Sequence, residues 1–377
     1  MIANNVQKRD NNGPSLVLRA HRPPARVITG KKVNRTKRST RILFAIAALA
    51  CACLAASGCG GAKKPANARD TVQALLDKGV KPNEMGMVMV LEYHRIEDKE
   101  SDYTRSIENF KRDLETLYQK GYRLVKFHDL MRGKIDVPAG TTPVLFSFDD
   151  STEGQFRYLK EGGNTVLDPE CALGMMSDFY KKHSDFGYAA IFSFLPNLFD
   201  QPKYVKQKLN YLYNKGFEFG NHTTNHPSLG LVSDDTVQKE IAGPVKQMKR
   251  INPKVKLDVL CLPHGSEPKN KELMYDGSYD GTRYHNNWAL LVGSEPFYPM
   301  YQYKNPGKVI PRVQAMDDNP TSGSGAEGSD YWLRYFDKHP ELKFISDGDP
   351  STICAPAYME NRLLPGKLPS GLSYIGY

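Results

Sequence analysis

Short apolar runs that close on polar groups alternate along this chain with stretches whose apolar residues recur every third or fourth position. The first run, residues 87–94, reads Met-Val-Met-Val-Leu-Glu-Tyr-His. Its apolar character on both faces predicts a strand of a parallel sheet, where helices cover either side. A helix is predicted over 106–120, where Ile107, Phe110, Leu114, Leu117 and Tyr118 share a face and Gly121 supplies the stop. Leu124-Val125 then leads into a short helix at 127–131, on which His128 reads as a surface or capping residue. Residues 143–150, Pro-Val-Leu-Phe-Ser-Phe-Asp-Asp, are a second buried strand, and the rest of the pattern is organised around it.

The alternation continues with a helix at 171–182, a strand at 188–195, a helix at 205–215 closed by Gly216, a strand at 217–222 and a helix at 233–251. Further strands are predicted at 257–262, 288–292, 309–313 and 344–346. Residues 159–168, with Glu161-Gly162-Gly163-Asn164 at their centre, show neither period and read as an insertion on the site side of the sheet. Six to eight strand–helix units without a hairpin signal favour an α/β fold, a closed or nearly closed parallel barrel.

Composition changes the picture mainly at the N-terminus. Of the 51 Lys and Arg residues, 11 fall within the first 41 positions, against one of the 42 acids. The remainder is nearly neutral, so the high isoelectric point belongs to a basic leader and implies no nucleic-acid partner for the folded part. Residues 42–54 are an apolar stretch of signal-peptide length, short of the ~20 residues a membrane span needs. Ala56-Ser57-Gly58 before Cys59 resembles a bacterial lipobox, which implies diacylglyceryl transfer to Cys59 and cleavage before it. An uncleaved signal anchor is the other reading, and both export the domain. The expected organisation is a leader (1–41), an apolar core and lipobox (42–58), a tether (59–84) with a short helix at 70–78, a barrel (85–350) and a C-terminal tail (351–377). The protein is expected to be exported and lipid-anchored to the extracytoplasmic face of a bacterial membrane. Cys171, Cys261 and Cys354 are too few and too widely spaced for a disulfide framework.

The candidate chemistry sits where predicted strands end. Asp149-Asp150 closes an apolar run, and unpaired carboxylates there call for a cation or for the helix-capping role that Asp150-Ser151-Thr152-Glu153 would also serve. His222 and His226, in Gly-Asn-His-Thr-Thr-Asn-His-Pro, lie four residues apart at a strand-to-helix corner, a spacing suited to chelation or to a surface role. Both constellations fall at C-terminal strand ends, where α/β barrels place their sites. Asp150, His222 and His226 make a two-His, one-carboxylate set suited to Zn²⁺, with Co²⁺, Ni²⁺, Mn²⁺ or Fe²⁺ also compatible with the donors. Asp149 is then free to act as general base.

Phe148-Asp149-Asp150, His222-x-x-x-His226 and Tyr93-His94-Arg95-Ile96 resemble the NodB-homology polysaccharide deacetylases, carbohydrate esterase family 4. The resemblance extends over about residues 85–350. It implies a distorted (β/α)7 TIM-like barrel as a single catalytic domain and hydrolysis of N-acetyl groups on a polysaccharide. It also implies Asp149 as base and Asp150, His222 and His226 as metal ligands. The later motifs depart from the family pattern. Where an Arg-x-Pro-Tyr is usual, this chain reads Cys261-Leu262-Pro263-His264-Gly265. That leaves Pro263 in place and offers the His264 backbone to an oxyanion. Arg312, in Ile310-Pro311-Arg312-Val313, is the candidate substitute for the missing Arg, with a surface strand end as the alternative. The final motif's His is absent, so His264, Asp347 and His94 are the candidate acids. His94 also fits the floor of the site, and His285 and Trp288 are candidate walls of a sugar site, with core packing as the other reading of Trp288 and a simple turn as the other reading of Asp347. The alternative functions are a glycan-binding protein on an impaired barrel, or an esterase removing O-acetyl groups.

Overall fold

A computed structural model of the chain describes residues 68–293, 295–317, 327–366 and 368–377. The leader, the apolar core, the lipobox Cys59 and the first part of the tether lie outside the described residues. Among the described residues, no helix is long and apolar enough to cross a membrane.

Nine strands make one parallel sheet. In chain order they are β1 (Met89–Tyr93), β2 (Tyr122–Leu124), β3 (Thr142–Phe148), β4 (Ile191–Phe194), β5 (Glu218–Asn221), β6 (Val259–Cys261), β7 (Trp288–Leu290), β8 (Val309–Ile310) and β9 (Val313–Gln314). Hydrogen bonding runs β8-β7-β6-β5-β4-β3-β1-β9, with β2 flanking β3. The two ends of this order are neighbours in sequence, because Pro311 and Arg312 alone separate β8 from β9. Pro311 has no N–H to give a ladder. The segment 309–314 therefore pairs with β7 on one side through Ala289↔Val309 and with β1 on the other through Leu91↔Val313. It is the seventh stave of a ring, and the expected distorted (β/α)7 barrel is what the chain builds.

Strand parity sorts the side chains. Leu91, Tyr93, Phe146, Phe148 and Phe192 point outward and pack with Phe110, Leu114 and Leu117 of the helix Ile107–Gln119. That helix is capped by Ser106, whose side chain accepts from the Asn109 N–H at 3.1 Å. Val90, Leu145, Ile191, Val259, Leu290 and Ile310 point inward and fill the lower barrel with an apolar plug. By the same alternation, the next inward positions toward the C-terminal mouth are Glu92, Ser147, Ser193, Cys261 and Arg312, all buried. The barrel is thus apolar at its base and polar beneath its C-terminal mouth.

Four expectations are corrected. The insertion at 159–168 is an antiparallel hairpin, Tyr158–Glu161 with Asn164–Leu167, turning on Gly162 and Gly163 at φ 54° and 85°. A second hairpin, Asp276–Tyr279 with Thr282–His285, turns on Asp280-Gly281. Residues 344–346 are not a stave: this segment forms isolated bridges to the residues before β1, Met87↔Lys343 and Asn83↔Ile345. The expected tether and tail are folded from residue 68 onward. Val72, on the helix Ala68–Asp77, is buried with Cys354 and Ile375 of the paired strands Thr352–Ala355 and Ser373–Gly376. The Glu84 carboxylate joins these parts, accepting from the N–H groups of Cys354 (2.9 Å) and Asp347 (3.2 Å) and from the Ser346 hydroxyl (3.2 Å).

His128 is no ordinary surface residue. Its Nδ1 lies 2.6 Å from Glu218 at the start of β5, and its Nε2 lies 3.0 Å from Asp258 just before β6. These two carboxylate contacts outweigh burial and raise its pKa to about 9. A folded pKa above the ordinary ~6.5 means that the contribution is complete below about pH 6.5 and is lost as pH rises through 9. His128→Gln is therefore expected to lower the melting temperature clearly at pH 6 and much less at pH 10, as thermal denaturation at both values would record.

Candidate functional site

The C-terminal mouth opens into a cleft of about 260 Å³ lined by His94, Arg95, Tyr103, Asp149, Asp150, His222, His226, His264 and Val292. Under it lies Arg312, with no exposed surface. Its Nε donates to the Leu291 carbonyl (2.6 Å) and Nη1 donates to Ser147 Oγ (2.9 Å) and Asp149 Oδ1 (2.9 Å). Nη2 donates to Asp149 Oδ2 (2.8 Å) and contacts Glu92 Oε2 at 3.2 Å. Gly293 makes room for this residue, since a Cβ there would fall 2.2 Å from the Arg312 carbonyl oxygen. Of the two readings of Arg312, the structure excludes the surface one and places the guanidinium against Asp149 beneath the cleft.

Asp149 is fully buried. Burial works against its charge, but Arg312 and the nearby imidazoles outweigh it and hold the carboxyl well below the ordinary range. The Cys261 thiol also donates to Asp149 Oδ2, at 3.1 Å. Glu92, inward on β1, is pushed up to about 7 by burial, against the pull of Arg312. His94 Nε2 lies 3.5 Å from Glu92 and 3.8 Å from Asp149, and burial lowers its pKa to about 4.

Asp150 follows with φ at 70°, and that reversal turns its carboxylate away from Arg312 and into the cleft. Its Oδ1 lies 3.4 Å from His222 Nε2 and 3.8 Å from His226 Nε2, and the two Nε2 atoms are 3.1 Å apart. Ligand atoms of Asp150, His222 and His226 all fall within 4.8 Å of one another, a set that could hold a metal ion. His222 Nδ1 lies 2.9 Å from the Cys261 carbonyl, which holds a proton on Nδ1. Burial opposes a charge on this ring, but Cys261, Asp149 and Asp150 outweigh it and raise its pKa well above the ordinary value, so a cation bound here would displace the Nε2 proton that faces Asp150. Burial and the neighbouring His222 lower the His226 pKa, which favours the neutral, ligating form. Two other groups, Asp149-His222-Cys261 and Glu92-His94-Asp149, are also close enough to chelate. Both draw on Asp149, which Arg312 already occupies.

The corner carrying the two histidines is fastened from behind. Glu240, on the apolar face of the helix Asp234–Ile251, accepts from the Thr224 N–H (3.0 Å), the Asn225 N–H (2.7 Å) and the Asn225 side chain (2.7 Å). Asn221 accepts from the Thr223 N–H (3.0 Å) and donates to the Ile241 carbonyl (2.8 Å). Six non-glycine residues around the cleft, Tyr103, Asp150, Ser151, Thr223, His226 and His264, have positive φ. Such backbone persists only where its surroundings enforce it.

Residues 180–283 match the family described as Polysaccharide deacetylase. The matched stretch is 104 of the 377 residues. The match covers the His222–His226 corner, and Asp149, Asp150 and Arg312 lie outside it. A search of curated proteins returns no match. Solved structures that resemble the chain include a deacetylase, PplD, from Streptococcus pyogenes in complex with acetate, at 15% identity and TM-score 0.45 over 62% of this chain and 93% of that one. IcaB from Ammonifex degensii aligns at 17% identity and TM-score 0.43, over 62% and 93%. A de-N-acetylase from Aggregatibacter actinomycetemcomitans aligns at 14% identity and TM-score 0.41, over 60% and 93%.

Six of the residues singled out in the sequence, His94, Asp149, Asp150, His222, His226 and His264, line this cleft. Pro263 is buried and opens the turn Pro263–Gly265 that carries His264 at φ 56°. Trp288 and Asp347 are corrections. Trp288 opens β7 at the opposite mouth of the barrel, edge-on to Phe127 and His128 at 5.5 Å. Asp347 lies beneath that mouth, bonded to Thr352 Oγ1 at 2.6 Å and beside Glu84. His285 is exposed on the second hairpin with Asp276 at 2.7 Å. Sequence reasoning passed over Glu92 and Glu240, although a Glu inside an apolar strand and a Glu on the apolar face of a helix were the signals to follow.

Removing one partner from a fully buried ion pair leaves the other charge without compensation. Arg312→Met is expected to lower the unfolding free energy by about 3 kcal/mol or more, and adding Asp149→Leu to restore part of it. Urea denaturation of the single and double variants measures the coupling, and strictly additive losses would contradict the pairing.

Proposed function

We propose that this chain is an exported, metal-dependent deacetylase that hydrolyses N-acetyl groups on a cell-surface glycan of the peptidoglycan or poly-N-acetylglucosamine type. The observation that carries the proposal is the division of two adjacent carboxylates. Asp149 is turned down to Arg312, while Asp150 is turned up to two imidazoles whose nitrogens lie 3.4 and 3.8 Å away. Asp150, His222 and His226 would hold a divalent cation, zinc by the character of the donors. Once bound, that ion would supply Lewis acidity, polarising a carbonyl oxygen and easing deprotonation of water.

The chain's own groups complete the chemistry. Asp149 removes the proton from the attacking water, and Arg312 fixes the orientation of its carboxylate and keeps it ionised. The positively charged Arg312, shared with Glu92, serves as the substitute for the family's missing Arg. The turn at His264 offers its backbone N–H to the oxyanion. His264, the cleft imidazole outside the metal set that stays exposed, is assigned to return a proton to the leaving amine, whereas His94, its pKa lowered to about 4, stays neutral in the floor of the site. Peptidyl export and acylation at Cys59 would place this cleft outside the membrane, facing its polymer.

Acetate release from N-acetylglucosamine oligomers or peptidoglycan by the zinc-loaded protein tests the reading. His222→Ala and Asp150→Ala are expected to fall to background. Asp149→Asn is expected to lose about 10³-fold or more in kcat with metal content retained. Wild-type rates in a variant that no longer binds metal would overturn the proposal.

A further inference from the structure

The strap that crosses the cleft edge after β1 carries residues that this mechanism does not use. Its strands Arg95–Glu97 and Thr104–Ser106 pair in parallel, with Arg95 opposite Thr104. The strap is locked to the barrel. Arg105, 2% exposed at its side chain, contacts Asp113 and Asp317 and donates to Glu100 at 2.9 Å. Glu100 in turn accepts from the Ser106 N–H at 2.6 Å and the Asn109 side chain at 2.8 Å. Gly154 lies so close beneath that a Cβ there would fall 2.0 Å from the Ile96 carbonyl oxygen.

This rigid strap presents two side chains to the cleft. Tyr103 has φ 56°, is 42% exposed and meets the His94 ring edge-on at 4.9 Å. An aromatic ring left half in water in a strained backbone, at the rim of a sugar cleft, offers a flat face for the apolar side of a pyranose. Arg95 is exposed, and its Nε donates to Thr104 Oγ1 at 3.0 Å. That bond orients the guanidinium and leaves Nη1 and Nη2 with no hydrogen bond or ion pair among the described residues. The other arginine at the site, Arg312, is buried and already committed to Asp149. Arg95 is the exposed guanidinium among the residues lining the cleft.

We propose that Arg95 and Tyr103 form a subsite for an acidic sugar residue, with Arg95 pairing a carboxylate or phosphate next to the acetamido group that is hydrolysed. The inference rests on the deacetylase reading and narrows its substrate to a glycan bearing anionic oxygens. A planar guanidinium with two free nitrogens matches such groups in a bidentate manner, and a neutral homopolymer gives it nothing to pair. Tyr103 then stacks on the ring that bears the anion or on its neighbour.

The test is the affinity of the whole chain, treated with EDTA so that the probes stay intact. Calorimetry would compare an N-acetylglucosamine tetramer, an alternating N-acetylglucosamine–N-acetylmuramic acid tetramer and a phosphorylated N-acetylglucosamine tetramer. At least one acidic probe is expected to bind about tenfold or more tightly than the neutral one, with a preference that shrinks as salt rises. The stronger acidic probe tells carboxylate from phosphate. In Arg95→Gln the acidic-to-neutral ratio is expected to fall to about one, and in Arg95→Lys to recover in part. Equal affinities in the wild type, no measurable binding of either acidic probe, or a ratio unchanged in Arg95→Gln would overturn the proposal. Acetate release after zinc is restored reports separately on the deacetylase reading, since it does not enter the affinity ratio.

Discussion

A guanidinium buried in the barrel axis organises the upper half of this molecule. Taking Arg312 out of water is costly unless its donors are met, and here they meet Leu291, Ser147, Asp149 and Glu92. Each partner is in place because strand parity sends it inward: Glu92 after Val90 on β1, Ser147 and Asp149 after Leu145 on β3, and Arg312 after Ile310. Pro311 interrupts the last stave at this point and Gly293 clears the space beside it. One charge therefore closes the ring, sets the polar layer above the apolar plug and fixes the direction of Asp149.

The division of labour between the two carboxylates follows from that constraint. Asp149 is spoken for from below, and the backbone then reverses at Asp150, so consecutive residues present their oxygens to opposite surroundings. The imidazoles are brought to Asp150 by a different device, a strained corner tied to Glu240 on the helix behind it and to the Cys261 carbonyl beneath it. Positive φ at Thr223, His226 and His264 costs of order 1–3 kcal/mol each, and these fastenings offset it. The donor atoms converge because the scaffold is stiff, which is the condition for a site that is organised before its ligand arrives.

Much of this was legible in the sequence because it depends on local pattern. The strand-ending Asp149-Asp150, the His222–His226 spacing and the alternation of strand and helix each reflect a rule that acts over a few residues. Arg312 was legible only as one of two readings, since nothing local tells a buried strand-end Arg from an exposed one. Trp288 and Asp347 were misplaced on other grounds: Trp288 begins its strand, as predicted and as observed, and so stands at the opposite mouth, while residues 344–346, expected to be a strand ending at the site, are not a stave. Both hairpins had readable turns, Glu161-Gly162-Gly163-Asn164 and Asp280-Gly281, which the search for a barrel passed over. The folding of residues 68–84 and 351–377 against one another could not be read locally, because Glu84 finds its partners more than 260 residues away.

The central claim is that Asp150, His222 and His226 share one cation while Asp149 does not. Anomalous diffraction at the zinc edge from crystals of the zinc-loaded protein addresses it directly. The account predicts a single strong peak at ~2 Å from Nε2 of both histidines and from an Asp150 oxygen, with the Asp149–Arg312 pair intact. A peak bound instead by Asp149 with His222 and Cys261, or no peak at this mouth of the barrel, would contradict it.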